Sequence, residues 1–298
     1  MKKVLFLLII AIFISSCKSE KSGWKKAKEE NSIESYKDFI KKYPSGHFFI
    51  EANDSISSIA FKQAINTNTI EAFTNFINKY PNSKFKKHAQ DKLAQLTGDI
   101  VWEDDNKGYF YDKRDMQKYK VVKIGKQIWM AENLNFKIKG SECYDNKITN
   151  CDKYGRLYDL ETAFVACPKG WHLPAEKEWQ ILEMSLGMPK GKVIDEESDW
   201  RGIDEGKKLK KGGSSGFNAA SAGRLSLFAD YGNNFNCDYG YWTAEIFKAS
   251  IPNSDGFHTI YSRTYTCGVV RGLNENSNKI FRSACPAVYK LYVRCIKD

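Results

Sequence analysis

The second half of this 298-residue chain is organised around the motif Ala166-Cys-Pro-Lys-Gly-Trp-His-Leu-Pro174. The residues from Thr162 to Ala166 are typical of a short helix. Pro174 and the acids behind it indicate the start of a second helix, because proline suits a first turn and carboxylates favour the positive end of the helix dipole. We expect Trp171 and Trp179 to pack that helix on a sheet, although these rings could instead form platforms for sugars.

Strand patterns lie on both sides of this motif. Tyr119–Ile124 and Gln127–Met130 flank Gly125-Lys126 and predict a β-hairpin. Val288 to Ile296 alternates as a strand does. The glycine-rich segment Gly212–Gly216 is expected to be a loop. The mixture of short helices and strands predicts an α+β class for this half of the chain.

Further motifs follow one another in a fixed order from residue 112 to residue 298. They are Arg114-Asp115, Gln127-Ile-Trp-Met-Ala-Glu-Asn-Leu-Asn135, Cys143-Tyr-Asp-Asn146, Tyr154-Gly-Arg-Leu-Tyr158, Gly216-Phe-Asn-Ala219, Gly240-Tyr-Trp-Thr-Ala-Glu245 and Tyr292-Val-Arg-Cys295. In order and spacing they resemble the Fibrobacter succinogenes major paralogous domain. That family is placed with the C-type-lectin-like folds, which also include formylglycine-generating enzymes. The resemblance therefore implies a disulfide-containing, C-type-lectin-like domain over residues 112–298, and it indicates a fold much better than an activity.

Seven of the eight cysteines lie within residues 112–298. Cys143 and Cys151 close a short loop and are expected to pair. The resemblance implies a second bridge from Cys167 to Cys295, as in lectin-like folds, which would contribute about 4–5 kcal/mol in the chain-entropy description. Cys267 and Cys285 are a plausible third pair, and Cys237 is then left single. Sequence alone does not determine this connectivity.

The first folded region is a tandem repeat with a period of thirty-seven residues. Phe39-Ile40 recurs as Phe76-Ile77, and Lys42-Tyr43-Pro44 recurs as Lys79-Tyr80-Pro81. The apolar positions have helical spacing, and the prolines end the helices. The pattern resembles the tetratricopeptide-like repeats of outer-membrane lipoproteins and predicts an all-α domain over residues 23–97. Such repeats bind proteins in that family, but this pair could equally be a spacer.

The N-terminus has the features of a bacterial lipoprotein signal. Lys2 and Lys3 precede an apolar run from Val4 to Ile14, which is too short to span a bilayer. Ile14-Ser15-Ser16-Cys17 resembles a lipobox, in which the cysteine sulfur accepts diacylglycerol. We therefore expect a signal peptide over residues 1–16, lipidation at Cys17, a tether over residues 17–22 and a linker over residues 98–111. The alternative is an ordinary signal peptide next to a chance cysteine.

The motifs of several enzyme and metal-site classes are missing from the sequence. The closely spaced cysteines of formylglycine-generating enzymes are absent, and so are the Glu-Pro-Asn and Trp-Asn-Asp motifs of calcium-dependent lectins. No His-x-x-x-His or Cys-x-x-Cys motif occurs. Gly212-Gly213-Ser214-Ser215-Gly216 has the spacing of Gly-x-Ser-x-Gly, but it lies in a glycine-rich segment, so we interpret it as a turn and not as a nucleophile elbow. We therefore predict no catalytic residues, no metal and no cofactor.

The formal charge of +10 is spread over the whole chain without an arginine-rich run, so we do not expect a nucleic-acid partner. We expect a non-catalytic binding or scaffold protein, lipid-anchored to the outer membrane, with an envelope protein or a surface glycan as its partner. The alternatives are an enzyme related to the formylglycine-generating fold and a plain spacer. Loops on a rigid scaffold are the preferred contact surface. The candidate residues there are Ser214, Ser215, Tyr231, Asn233, Asn234, Tyr239, Tyr241 and Trp242.

Overall fold

The computed structural model describes residues 19–194, 199–221, 238–254 and 260–298. The chain divides into two compact units, Met1–Thr97 and Gly98–Asp298. Among the residues that the structure describes, no helix combines the length and the apolar character needed to cross a bilayer.

The first unit is all-α. Its helices are α1 over residues 19–30, α2 (Ile33–Lys42), α3 (Phe49–Thr67), α4 (Ile70–Lys79) and α5 (Lys86–Thr97). The helices α2 and α4 begin alike, because the hydroxyls of Ser32 and Thr69 accept hydrogen bonds from backbone amides of the first turn. They also end alike, each at the tyrosine that precedes a proline.

The two repeats have equivalent aromatic cores. Trp24 stacks on Phe48 with ring centroids 5.2 Å apart, and Phe61 stacks on Phe85 at 5.1 Å. The second pair lies thirty-seven residues after the first, so the predicted repeat period is confirmed. Each repeat buries its apolar faces in its own small core, one around Trp24 and the other around Phe73.

The second unit contains two sheets. The six-stranded sheet has the order β1-β2-β3-β4-β13-β7, with β1 (Val101–Trp102), β2 (Lys107–Tyr111), β3 (Lys118–Ile124), β4 (Gln127–Met130), β13 (Ile296–Lys297) and β7 (Trp171–His172). The seven-stranded sheet has the order β5-β6-β12-β9-β10-β11-β8, with β5 (Ser141–Glu142), β6 (Leu157–Asp159), β12 (Lys290–Tyr292), β9 (Tyr239–Ser254), β10 (Ile260–Leu273), β11 (Ile280–Pro286) and β8 (Asp199–Arg201). The predicted hairpin is β3 and β4, and the expected α+β class is confirmed.

Short helices accompany these sheets. They are α6 (Ile148–Tyr154), α7 (Leu160–Ala166), α8 (Glu176–Ser185), α9 (Lys190–Val193) and α10 (Glu205–Leu209). The helix α8 begins two residues after Pro174, close to the predicted start. Trp179 on α8 is 1 % exposed and lies 5.1 Å from the ring of Trp129, and Trp171 is 6 % exposed. Both tryptophans therefore belong to the core, as expected, and neither is a platform for sugars.

Two boundaries differ from the sequence prediction. The sequence predicts a linker over residues 98–111, but these residues contain β1 and β2. Strand β1 pairs with β2, and β2 pairs with β3. The predicted strand from Val288 to Ile296 is divided into β12 and β13, which belong to different sheets. Between them Val293, Arg294 and Cys295 are fully buried as the chain crosses from one sheet to the other.

Candidate functional site

The predicted aromatic contact residues are buried. Tyr239, Tyr241 and Trp242 lie in β9 and are 5 %, 1 % and 0 % exposed. Trp242 Nε1 donates a hydrogen bond of 2.7 Å to the carbonyl of Tyr158. As ligand contacts these three predictions are wrong, because β9 is an interior strand between β12 and β10 and its aromatic side chains fill the core.

The remaining predicted contact residues have mixed outcomes. Ser214 is exposed, while the Ser215 hydroxyl donates to the carbonyl of Lys208 at 2.6 Å and accepts from the amide of Phe217 at 3.1 Å. Ser215 thus stabilises its own loop. The other predicted positions, which lie outside the described residues, are Cys17, Tyr231, Asn233, Asn234 and Cys237.

Two of the three suggested disulfides are present. Cys143 is bonded to Cys151, and Cys167 at the end of α7 is bonded to Cys295 before β13. The pairing of Cys267 with Cys285 is wrong, since both are free and buried. In the β10–β11 register Cys285 lies opposite Gly268, one residue beyond Cys267. Neighbouring residues of a strand point to opposite faces, so the two thiols lie on opposite sides of the sheet.

A cleft of about 480 Å³ lies where the loop closed by Cys143 and Cys151 meets β12. We call it the disulfide-loop cleft. Its polar and aromatic lining consists of Glu142, Tyr144, Asp145, Asn146, Tyr289 and Lys290, and its aliphatic lining is Leu157 and Val288. Its volume is in the lower part of the range found for small-molecule sites.

The cleft is built on the edge of the seven-stranded sheet. Glu142 is in the edge strand β5, Leu157 is in β6, and Lys290 is in β12, so three adjacent strands position its base. Glu142 Oε2 and Lys290 Nζ are 2.5 Å apart across the cleft, with side chains 43 % and 29 % exposed. This ion pair lies directly on the rigid sheet.

The mouth of the cleft is formed by the disulfide loop. Asp145 and Asn146 are exposed and have φ values of +53° and +55°, in the left-handed region that most side chains avoid. The Asn150 side chain donates to the carbonyl of Tyr144 at 2.9 Å and fixes the loop from inside. A strained, cross-linked loop that projects polar side chains is a typical location for a binding site.

Charged groups elsewhere in this unit form structural contacts. Arg271 on β10 is 1 % exposed and donates to both Glu176 and Glu183 of α8, at 2.8 and 2.6 Å. Arg201 Nη2 donates to Glu183 at 2.7 Å, and Arg282 Nε donates to Glu176 at 2.8 Å. We call these five residues the arginine–glutamate cluster. It holds α8 against β8, β10 and β11.

The arginines of the cluster set the charge state of Glu176. Burial alone would raise the pKa of Glu176, but hydrogen bonds and charges from Arg271 and Arg282 lower it to about 2. Burial would lower the pKa of Arg271, but Glu183 and Glu176 raise it. Glu176 is therefore ionised and paired with guanidinium groups at neutral pH, which is unsuited to proton transfer.

A fully buried arginine outside this cluster explains the Tyr292-Val-Arg-Cys295 motif. Arg294 is fully buried and donates to the carbonyls of Met130 and Phe217 and to the side-chain oxygen of Asn133. Its guanidinium also lies 4.4 Å from the centre of the Phe217 ring. Burial lowers the pKa of Arg294. These partners are uncharged, so this motif residue organises the core where the chain crosses between the sheets.

His172 forms a surface contact with two carboxylates. Its Nδ1 lies 2.7 Å from Asp298 Oδ1, and its Nε2 lies 2.9 Å from Glu178 Oε1. Burial would lower the pKa of His172, but these hydrogen bonds raise it. Within the described ranges, no group of three or more histidine, cysteine or acidic side chains is placed to hold a metal ion.

Sequence reasoning missed the cleft as a site. In the sequence, Cys143-Tyr-Asp-Asn146 is a family motif that begins with a predicted disulfide cysteine, and Val288 lies in a predicted strand. A usable signal was present, because a loop cross-linked over eight positions and rich in tyrosine, aspartate and asparagine is a typical rigid contact element. The contact between this loop and residues 288–290 could not be predicted from the sequence, because it depends on the three-dimensional fold.

Comparison with known protein families identifies the family to which the second unit belongs. The sequence model of the Fibrobacter succinogenes major domain matches residues 122–297, more than half of the chain. A search of curated proteins finds no match. A search of solved structures also finds none.

Proposed function

Because the chain belongs to the Fibrobacter succinogenes major domain family, which indicates a fold and no activity, we propose that it is a cell-envelope lipoprotein that binds a partner without catalysing a reaction. The single observation that carries the proposal is the disulfide-loop cleft, an open concave site on a rigid sheet edge. Its partner is an envelope protein or a surface glycan.

The non-catalytic assignment is supported by the environment of the charged groups. Glu176 and Glu183 are bonded to arginines in the core, and Glu142 in the cleft is paired with Lys290. Cys267 and Cys285 are buried, and burial raises the pKa of both thiols, which disfavours the nucleophilic thiolate.

The envelope location rests on the sequence around Cys17. A triacylated cysteine anchors a protein without a transmembrane helix, since each buried methylene contributes about 0.8 kcal/mol. We expect cells expressing the full chain to incorporate labelled palmitate into it, and Cys17→Ser to abolish the label. Equal labelling of Cys17→Ser would refute the anchor. Protease treatment of intact cells then reports whether the chain faces outward.

The binding function is tested by site-specific photo-crosslinking in cells. Benzoylphenylalanine is introduced at Val288, which is 75 % exposed and lines the cleft, or at Ile203, which is 77 % exposed and follows β8 at the opposite edge of the same sheet. We expect a discrete adduct from position 288 and none from position 203. The same adducts from both positions would contradict the proposed function, and so would the absence of adducts from both positions together with no binding to any glycan.

A further inference from the structure

We propose that the disulfide-loop cleft binds a saccharide that carries no negative charge. This inference rests on the proposed binding function and assigns the ligand class of the same site. Of the residues that line the cleft, only Leu157 and Val288 are aliphatic, while the others are charged, amide, tyrosine or half-cystine. Such a lining suits a hydrated ligand with many hydroxyl groups better than an apolar one.

The ion pair at the base supplies hydrogen bonds for hydroxyl groups. The Glu142 carboxylate can accept several hydrogen bonds, and Lys290 Nζ donates one of them, to Oε2. The Lys290 ammonium has further protons to donate beyond the one directed at Glu142. The two groups hold each other in place, so neighbouring hydroxyls of a sugar ring meet an acceptor and a donor that are already oriented.

The two tyrosines supply the apolar contact that a sugar ring also needs. Tyr144 on the loop and Tyr289 before β12 both line the cleft, and both are partly buried against the core. A tyrosine presents a flat apolar face together with a polar hydroxyl, which fits the C–H face and the hydroxyl rim of a sugar. Their attachment to the core keeps the entropy cost of binding low.

An extended peptide fits this edge less well. The edge strand β5 has two residues, Ser141 and Glu142, and pairs with β6. Addition of a peptide strand needs a longer row of free backbone groups to provide affinity. A ligand of this site would therefore be bound mainly by side chains, because the short edge strand offers few backbone groups for hydrogen bonds.

The charges of the cleft predict the selectivity. Glu142 and Asp145 contribute two negative charges to the lining, and Lys290 contributes one positive charge. Lys147 lies beside the lining, 3.7 Å from Asp145, but both side chains are exposed to solvent, so this pair offsets the charge of Asp145 only weakly. A uronic acid or sulfated sugar would face two carboxylates, one of them at the exposed mouth, and like charges at close range are unfavourable. Neutral and amino sugars avoid this repulsion.

The test uses the full-length lipoprotein in detergent on an array of defined neutral, amino and acidic oligosaccharides, followed by titration with the strongest binder. We expect binding to neutral or amino oligosaccharides. Glu142→Gln should weaken it by about tenfold or more, because a charge-assisted hydrogen bond is lost. The matched control is Glu132→Gln, whose side chain is 41 % exposed and pairs with Lys120 on the other sheet. It should leave binding unchanged.

Variants of Tyr144 separate stacking from folding. Tyr144→Ala should weaken binding, whereas Tyr144→Phe keeps the ring and should retain most of it, and thermal unfolding of each variant checks the fold. Preference for acidic oligosaccharides, or undiminished binding by Glu142→Gln, would overturn the inference. If no saccharide binds while position 288 still crosslinks to a protein, the saccharide inference fails and the proposed binding function stands. If crosslinking also fails, both are wrong.

Discussion

Arg271 is the central charge of the arginine–glutamate cluster and contacts both carboxylates of α8. Its side chain is 1 % exposed, and that of Glu183 is 0 % exposed. A buried ion pair offers little net stability over an apolar pair, but removal of one partner leaves the other charge in a low-dielectric interior. The cluster is therefore sensitive to single substitutions.

We expect Arg271→Met to lower the free energy of unfolding by about 1.5–3 kcal/mol, since Glu183 and Glu176 lose charge-assisted hydrogen bonds but keep Arg201 and Arg282 as partners. Urea unfolding of the full chain measures this change. Lys120→Met is the control, because Lys120 is 72 % exposed and its contact with Glu132 is 3.6 Å long. That change should cost less than about 1 kcal/mol. Equal costs for the two variants would show that the cluster is energetically unimportant.

His172 gives the second unit a pH-dependent contribution to stability. Its folded-state pKa is raised above the usual 6.5 by Asp298 and Glu178, so the charged histidine stabilises the fold fully below pH 6.5. This contribution is lost as the pH rises through the raised pKa. The destabilisation caused by His172→Gln should therefore be larger at pH 6 than at pH 9, as measured by urea unfolding at each pH. His88→Gln, in the first unit, is the control, and a larger effect of His172→Gln at pH 9 would contradict this account.

At the scale of elements, the two disulfides connect very different lengths of chain. The bond from Cys143 to Cys151 spans eight positions and braces the loop of the cleft. The bond from Cys167 to Cys295 spans 128 positions and ties the end of α7 to the segment that crosses between the sheets. In the chain-entropy description the longer closure contributes more stability.

We expect the double change Cys167→Ser and Cys295→Ser to cost about 5 kcal/mol, and Cys143→Ser with Cys151→Ser to cost about 2.5 kcal/mol. Chemical denaturation of the oxidised proteins compares the two pairs. The short-loop variant should also lose affinity at the cleft, because the loop is then held less firmly. A larger loss of stability from the short loop would contradict the entropic explanation.

At the scale of the whole molecule, the two units have separate cores and different chemistry. The described part of the first unit, residues 19–97, contains no cysteine, whereas the second unit contains both disulfides. The aromatic repeats of the first unit are held together by packing, while the second unit combines packing with disulfide cross-links. A reductant should therefore act on one unit only.

Calorimetry of the full chain should show two unfolding transitions, the larger from the second unit, because unfolding enthalpy grows with about 0.7 kcal/mol per residue. A phosphine reductant should lower the temperature of the larger transition and leave the smaller one in place. A parallel shift of both transitions would mean that the units unfold as one.

The repeat unit was predictable because its structure follows from local patterns. Apolar residues at helical spacing, Ser32 and Thr69 as caps, and a proline after each repeat helix determine where the helices begin and end. The hairpin of β3 and β4 and the helix after Pro174 are local in the same sense. The Cys167–Cys295 bridge was also anticipated, but through the family resemblance and not through spacing.

Residues whose roles depend on register and burial could not be assigned from the sequence. The sequence analysis predicts Tyr241 and Trp242 as exposed contact residues. In the structure β9 is an interior strand of the sheet, and both side chains are buried. Cys267 and Cys285 are close along paired strands, but an offset of one residue places their thiols on opposite faces. The disulfide-loop cleft joins residues 142–146 to residues 288–290, and only the three-dimensional pairing of β5, β6 and β12 brings these distant segments together. Local patterns thus determine the elements of this protein, while its thiols, its core arginines and its candidate binding site depend on long-range contacts that no local pattern encodes.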